Sequence, residues 1–286
     1  MPHKFALWSI PVAIVVFLLK LLAWQWTGSV ALLSDALESI VNVVAAMIAF
    51  YAVRLSAKPA DDGHPFGHSK AEYLSAVAEG AMILLAAALV LREAIAALPD
   101  PSLSEAPMAG IGINMVAAAM NGAWAMVLIR VGRANRSPAL VASARHILTD
   151  VLTSVGVVVG LFLALATGWL ILDPILAILV ALNILREGWG LLKESVDGLM
   201  DGSVNDTELQ AIEAAVSQAS KDALQVHDLR ARRSGPVVFV ELHLVVPKAM
   251  SVGAAHDICD RIEAAVEHAL PAARTTVHVE PESELV

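Results

Sequence analysis

Six apolar runs, each long enough to cross a bilayer as a helix, fill residues 1 to about 200, near 5–26, 30–54, 73–98, 107–130, 138–167 and 170–192. In hydrocarbon every backbone N–H and C=O must be satisfied inside its own segment, so such runs fold as helices. They predict an all-α polytopic membrane domain of six transmembrane helices over residues 1–200. The last two runs are separated by a short turn at Thr167, Gly168 and Trp169, and Asp173 and Pro174 help begin the sixth. The whole chain has 286 residues, 57% of them hydrophobic, with mean hydropathy +0.68. That is too apolar for a soluble protein of this size. The run from Phe5 to Trp26 exceeds a signal-peptide core, and no small-residue cleavage site follows, so it reads as a retained span.

An even number of spans puts both termini on one side. Lys and Arg mark cytoplasmic loops. Arg54, Lys58 and Lys70 follow the second run, and Arg130, Arg133 and Arg136, with Arg145 nearby, follow the fourth. The turns at 27–29 and 98–102 carry no basic residue. Both termini are therefore expected in the cytoplasm. Net charge is −9 and no basic patch is present, which speaks against a nucleic-acid partner. The single cysteine, Cys259, excludes internal disulfides and Cys-cluster metal sites and reads as a small buried hydrophobe on a helix.

Residues 201–286 have a different pattern. Asn205 with Glu208 resembles a capping box opening a helix that carries Leu209, Ile212, Ala215 and Val216 at helical spacing. Val237 to Val246 reads as a strand, with Val240, Leu242, Leu244 and Val246 on one face and Phe239, Glu241 and His243 on the other. A second helix over 251–269 and strands near 226–232 and 275–280 complete an αββαβ order. The expectation is a small α+β domain with both helices on one face of a three-stranded sheet.

Polar residues inside the apolar runs are the candidate sites. Glu38 with Asn42, and His146 with Asp150, are each four apart and share a helix face. Ionisable groups in hydrocarbon cost at least a few kcal/mol and mark transport or ligand sites by default. On facing helices the two pairs would supply four ligands to a divalent cation. The O₃N donor set suits Zn²⁺, Fe²⁺ or Mn²⁺ and disfavours copper(I). Pairing of these groups to stabilise helix packing is the plain alternative. Asp35, one turn before Glu38, would line an entrance. Between the second and third runs, Asp61, His64 and His68 could close on one ion, with Gly and Pro allowing the tight turn. In the tail, His227, His243, His256, His268 and His278 lie in a polar setting with Asp228 and Glu280, and His268 reads as a surface residue. Lys70 and Asp201 would pair at the membrane edge. No His-Glu-x-x-His run supports a membrane metallohydrolase, so no enzyme is expected.

Four segments carry a family resemblance: Trp-Thr-Gly-Ser-Val at 26–30, Lys-Pro-Ala-Asp-Asp-Gly-His-Pro-Phe-Gly-His-Ser-Lys-Ala-Glu at 58–72, His-Ile-Leu-Thr-Asp at 146–150 and His-Asp-Leu-Arg-Ala-Arg-Arg-Ser-Gly-Pro at 227–236. With them the chain resembles the cation diffusion facilitator family of divalent-metal/proton antiporters, and is similar above all to its bacterial zinc/ferrous-iron efflux branch. The resemblance implies a homodimer in the lipid of a bacterial inner membrane, with a metallochaperone-like cytoplasmic domain that senses metal and dimerises. It implies a transport site at Glu38, Asn42, His146 and Asp150, and a loop site at Asp61, His64 and His68. It also implies cytoplasmic-domain ligands at His227, His243, His256, His278 and Glu280, and a dimer-locking charge pair at Lys70 and Asp201. The chain departs from the pattern at the centre, where Glu38 and Asn42 replace Asp or His and then Asp; Glu280 replaces an Asp. The function implied is export of Zn²⁺ first, then Fe²⁺ or Mn²⁺, with Cd²⁺ also accommodated, in exchange for protons by alternating access. A membrane-bound metal sensor that binds without transporting is the alternative.

Overall fold

The computed structural model describes residues 2–27, 30–99 and 108–286, and within them the side chains at 27, 30–35, 37, 38, 108–110, 157, 160, 161, 164, 165 and 173 lie outside the description. The side chains of Asp35, Glu38 and Asp173, and most of the turns expected at 27–29 and 98–102, are thus outside the described residues. The chain divides into two compact units, Met1–Val196 and Asp197–Val286.

The first unit is built of long helices: α1 (Pro2–Thr27), α2 (Val30–Ser56), α3 (Ala71–Ala97), α4 (Met108–Ala134), α5 (Pro138–Thr167) and most of α6 (Leu172–Leu199). Among the described residues five helices, α1 to α4 and α6, are long and apolar enough to cross a membrane. The 30-residue α5 contains several of the undescribed side chains. The sixth helix runs past residue 192, where the apolar pattern ends, because its last turns carry Glu194 and Ser195, and Ser195 hydrogen-bonds back to Leu191 at 2.7 Å.

Lipid supplies no hydrophobic drive for helix association, so small residues that permit close approach do the work. The buried stripe of α2 is Ala36, Ala45, Ala46, Ala49 and Ala52. It packs along α1, α3 and α5, while α4 packs along α1 and α5. At the α3–α6 crossing a Cβ on Gly188 would lie 2.9 Å from Ile83 Cγ2, and one on Gly80 would lie 3.4 Å from the Leu192 backbone. Glu72 ties three helices at one end of the unit. It is 2% exposed and accepts from Ser56 of α2 at 2.7 Å and from Ser137, just before α5.

The second unit has the expected order, with α7 (Asp206–Ala219), β1 (Gln225–Ser234), β2 (Val237–Val246), α8 (Val252–Ala269) and β3 (Ala273–Pro281), followed by a 3₁₀ turn. The sheet order is β1-β2-β3; β1 is antiparallel and β3 parallel to the central β2. Asn205 caps α7 by accepting from Glu208 N at 2.9 Å, and its amide donates to the Glu208 carboxylate at 2.9 Å. Ser251 caps α8 through Ala254 N at 3.2 Å. Val240, Leu242 and Leu244 of β2 meet Ile212 and Val216 of α7 and Ile258, Ile262 and Val266 of α8 in the core. The opposite face of β2 therefore keeps Phe239, Glu241 and His243 out of that core. Cys259 is buried on α8, and burial raises its thiol pKa.

Candidate metal centres

In the membrane unit α2 and α5 bring three of the four expected groups together. His146 and Asp150, one turn apart on α5, face Asn42 on α2. Asn42 Nδ2 donates to Asp150 Oδ2 at 2.5 Å, and Asn42 Oδ1 lies 2.8 Å from His146 Nε2. The three are 9%, 5% and 8% exposed, so the cluster is closed to solvent in this conformation. Glu38 sits one turn before Asn42 on α2, and its side chain lies outside the description.

Along α5 the hydroxyls of Thr149 and Thr153 bond back to the Arg145 and Asp150 carbonyls at 3.0 and 2.9 Å. Such back-bonding turns the hydroxyls away from the acid and leaves its oxygens to the facing helix. His146 Nδ1 is buried without a hydrogen-bond partner. Beside it lies a cavity of about 20 Å³ with a mainly apolar lining that also includes Ser39, Asn42, Asn121, Ser143 and His146. That is room for one water. An imidazole nitrogen against the amide oxygen and a carboxylate against the amide nitrogen, all at low exposure, bring together groups that can supply donors to a borderline divalent cation.

The loop between α2 and α3 folds back on itself through Asp61–His64 backbone bonds of 3.0 and 3.2 Å. Gly67, at φ +86°, takes the left-handed turn that returns His68 to Asp61. Asp61 Oδ1 lies 3.4 Å from His64 Nδ1, and Asp61 Oδ2 lies 3.6 Å from His68 Nε2. His68 is buried, with Nδ1 lacking a partner, whereas His64 is exposed. Lys58 Nζ sits 2.6 Å from Asp61 Oδ2. That hydrogen bond is the main reason the Asp61 carboxyl is lowered to about 2, with the His64 amide and the Lys58 and His68 charges contributing less. Asp61 is therefore an anion across the physiological range, but one oxygen is already engaged by an ammonium. Lys58→Met should raise the Asp61 pKa toward its ordinary value. It should also tighten metal binding at the loop a fewfold, because the ion no longer displaces an ammonium. Carboxyl NMR titration and metal titration check the two effects, and an unmoved Asp61 pKa would contradict them.

In the second unit the sheet register places three imidazoles in a row. His227 of β1 pairs with His243 of β2, and His243 pairs with His278 of β3. Glu280, two residues beyond His278, returns to the same face. Its oxygens lie 3.3 Å from His227 Nε2, 2.9 Å from His243 Nδ1 and 3.7 Å from His278 Nε2. His227, His243 and Glu280 each offer a ligand atom within 4.8 Å of the others. Asp228 stands at φ +49° in a bulge of β1, and its carboxylate comes 3.8 Å from His243 Nε2. His256 is elsewhere, exposed on α8 and 3.6 Å from Asp260. His268, in the last turn of α8, is exposed. Asp201 pairs with Arg232 within its own unit at 2.7 Å.

Several buried charges escaped the reading from sequence. Lys20 of α1 is 4% exposed, Glu72 is 2% exposed and Glu79 is fully buried. The signal was present, since each interrupts an apolar run and intramembrane charges rarely stand there idle. Asp228 stands beside His227 in the sequence, and only the bulge of β1 aims its carboxylate at His243.

Two family profiles match the chain. The profile of the cation efflux transmembrane domain matches residues 6–200, and that of the cation efflux cytoplasmic domain matches residues 204–282. An uncharacterized transporter of Synechocystis, sll1263, is 43% identical over 279 residues, which is 98% of this chain and 90% of the relative. The cation-efflux pump FieF of Serratia proteamaculans is 32% identical over 278 residues, 96% of this chain and 91% of the relative. A solved structure of the zinc form of CzrB, described there as a candidate zinc transporter, is 41% identical over 29% of this chain and 96% of its own, with a TM-score of 0.28.

Proposed function

The chain belongs to the cation diffusion facilitator family and is an integral membrane protein of divalent metal efflux, a transporter rather than an enzyme, and from that premise we propose that it exports Zn²⁺ in exchange for protons. The carrying observation is the buried contact of Asn42 with both His146 and Asp150 across α2 and α5. Glu38 joins them as the fourth ligand. His146 and the histidine row of the tail support zinc over Fe²⁺ and Mn²⁺.

In this reading residues 1–200 are the transport domain, with α5 as the sixth span, and 201–286 the sensing and dimerising domain, both termini lying in the cytoplasm of a bacterial inner membrane. The matched cytoplasmic-domain family, named for dimerisation, supports a homodimer. Lys70 and Asp201 form its locking charge pair. Metal enters past Asp61, His64 and His68 and displaces protons from the transport site, because ligands bind deprotonated. Alternating access then exposes the site to the other side, where incoming protons release the ion. Filling His227, His243 and Glu280, with His278 and a His256 drawn from either chain, favours the paired tails and biases the transport equilibrium.

The test is proton movement in proteoliposomes of the full-length protein on addition of Zn²⁺, Fe²⁺ or Mn²⁺. Zinc should give the largest metal-dependent proton flux. Metal binding without proton flux for all three ions would overturn export and leave the sensor.

A further inference from the structure

Glu79 occupies the stripe of α3 that runs through Glu72, Ser75, Ala76, Glu79 and Ile83. It is 0% exposed, and neither carboxyl oxygen has a hydrogen-bond partner. Ser75 Oγ, one turn earlier on the same face, is also buried and without a partner. The residues flanking Glu79 on the stripe, Ala76 and Ile83, pack in an apolar cluster with Ala142 of α5 and Ile184 and Leu191 of α6. Glu72, two turns earlier, has the opposite surroundings, with two hydroxyls donating to it.

Among the described residues, the charged groups at this level of the neighbouring helices are engaged elsewhere or exposed. The contacts of Glu72 with Ser56 and Ser137, and of Gly80 with Leu192, set the level of Glu79 on α2, α5 and α6. On α5 that level carries Arg145 and His146. Arg145 lies 3.4 Å from Glu194 of α6, and His146 meets Asn42. On α6 Arg186, Glu187, Lys193 and Glu194 are exposed, as are Tyr51 and Arg54 on α2. None of them is hydrogen-bonded to Glu79. A bare carboxylate in such a place is the costliest state the group could adopt.

We propose that Glu79 is a second proton-binding site of the membrane unit, separate from the metal ligands. It keeps its proton while shielded among α3, α5 and α6 and gives it to water when the helices part. In that step the carboxyl O–H bond breaks, the proton passes to a water molecule, and the Ser75 hydroxyl donates to the carboxylate left behind. The proposal rests on the antiport reading, in which the chain already exchanges metal for protons.

The experiment compares wild type with Glu79→Gln, which keeps the shape and removes the titration, in proteoliposomes loaded with Zn²⁺ reporter. The slope of log zinc flux against pH should fall by about one proton's worth, while zinc still binds. An unchanged slope with wild-type flux overturns the proposal. Infrared difference spectra of the purified full-length protein give a measurement that does not depend on transport. Wild type should show a protonated-carboxyl band that titrates and that Glu79→Gln removes, with Ser75→Ala shifting its midpoint. Absence of that band, or a band that never titrates, overturns the proposal even if zinc flux proves to be proton-coupled. A wild type that carries zinc without protons defeats the antiport reading, and the infrared band then decides Glu79 by itself.

Discussion

Asp150→Ala should leave the protein folded and reduce metal-driven transport by roughly a hundredfold or more, beyond the 10- to 100-fold usual for loss of a group that merely supports a metal ligand. Among the described side chains Asp150 is the anion of the α2–α5 centre, and at 8% exposure it acts where water does not screen it. Without it a divalent ion would face neutral imidazole and amide from the described set, with the Glu38 carboxylate proposed as fourth ligand cancelling only one of its two charges, and an ion stripped of water with its charge incompletely compensated is disfavoured. The truncation also strands Asn42 Nδ2, which now donates at 2.5 Å, at a cost of about 1–3 kcal/mol in stability. Asp150→Asn separates the two effects, because its amide oxygen can still accept from Asn42 while the charge is gone. Stability should recover and transport should not. Zinc flux in proteoliposomes, read beside a thermal melt, checks both, and wild-type flux in the alanine variant would refute the assignment of the site.

Asn42→Asp should act in the opposite direction and tighten zinc binding about tenfold or more. Adding a carboxylate to an oxygen-ligand site is one of the ways proteins tune divalent affinity over decades. The contact geometry adds a second reason. In the present chain the Asn42 amide donates to Asp150, a bond the metal must disturb to engage that oxygen. An aspartate cannot donate it unless protonated, so two carboxylates would confront each other in the empty site, and the ion would relieve their repulsion. The metal-free variant should therefore be less stable than wild type and more strongly rescued by zinc. Isothermal titration and melting with and without zinc test the pair of effects, and equal or weaker binding would argue that Asn42 does not face the ion.

The legible and illegible parts of the chain divide by the range of the interaction. Helices α1 to α6 could be read because a bilayer-length apolar run has one way to satisfy its backbone. The tail could be read because Asn205 and Ser251 mark helix starts and β2 alternates inside and outside along its length. The four-residue spacings placed Asn42, His146 and Asp150 on defined helix faces, and the meeting of α2 with α5 followed from the family resemblance. Features set by a distant partner were harder. Nothing local in Glu72 says that Ser56 and Ser137 close upon it, and nothing local in Glu79 says that no group does. The row of imidazoles needed the register of three strands, which fixes His227 beside His243 and His243 beside His278. The bulge that brings in Asp228 has no sequence marker, since Asp tolerates positive φ but no neighbouring glycine or turn motif announces it.

Because His227, His243 and Glu280 come from three separate strands, an ion held by them would staple the whole sheet edge to edge. A slip of one residue by any strand would turn its histidine toward the hydrophobic side and discard a ligand. If the tail binds metal as proposed, its occupancy would report correct strand pairing, and a newly made chain that assembles its sheet out of step would go unclamped however much metal surrounds it.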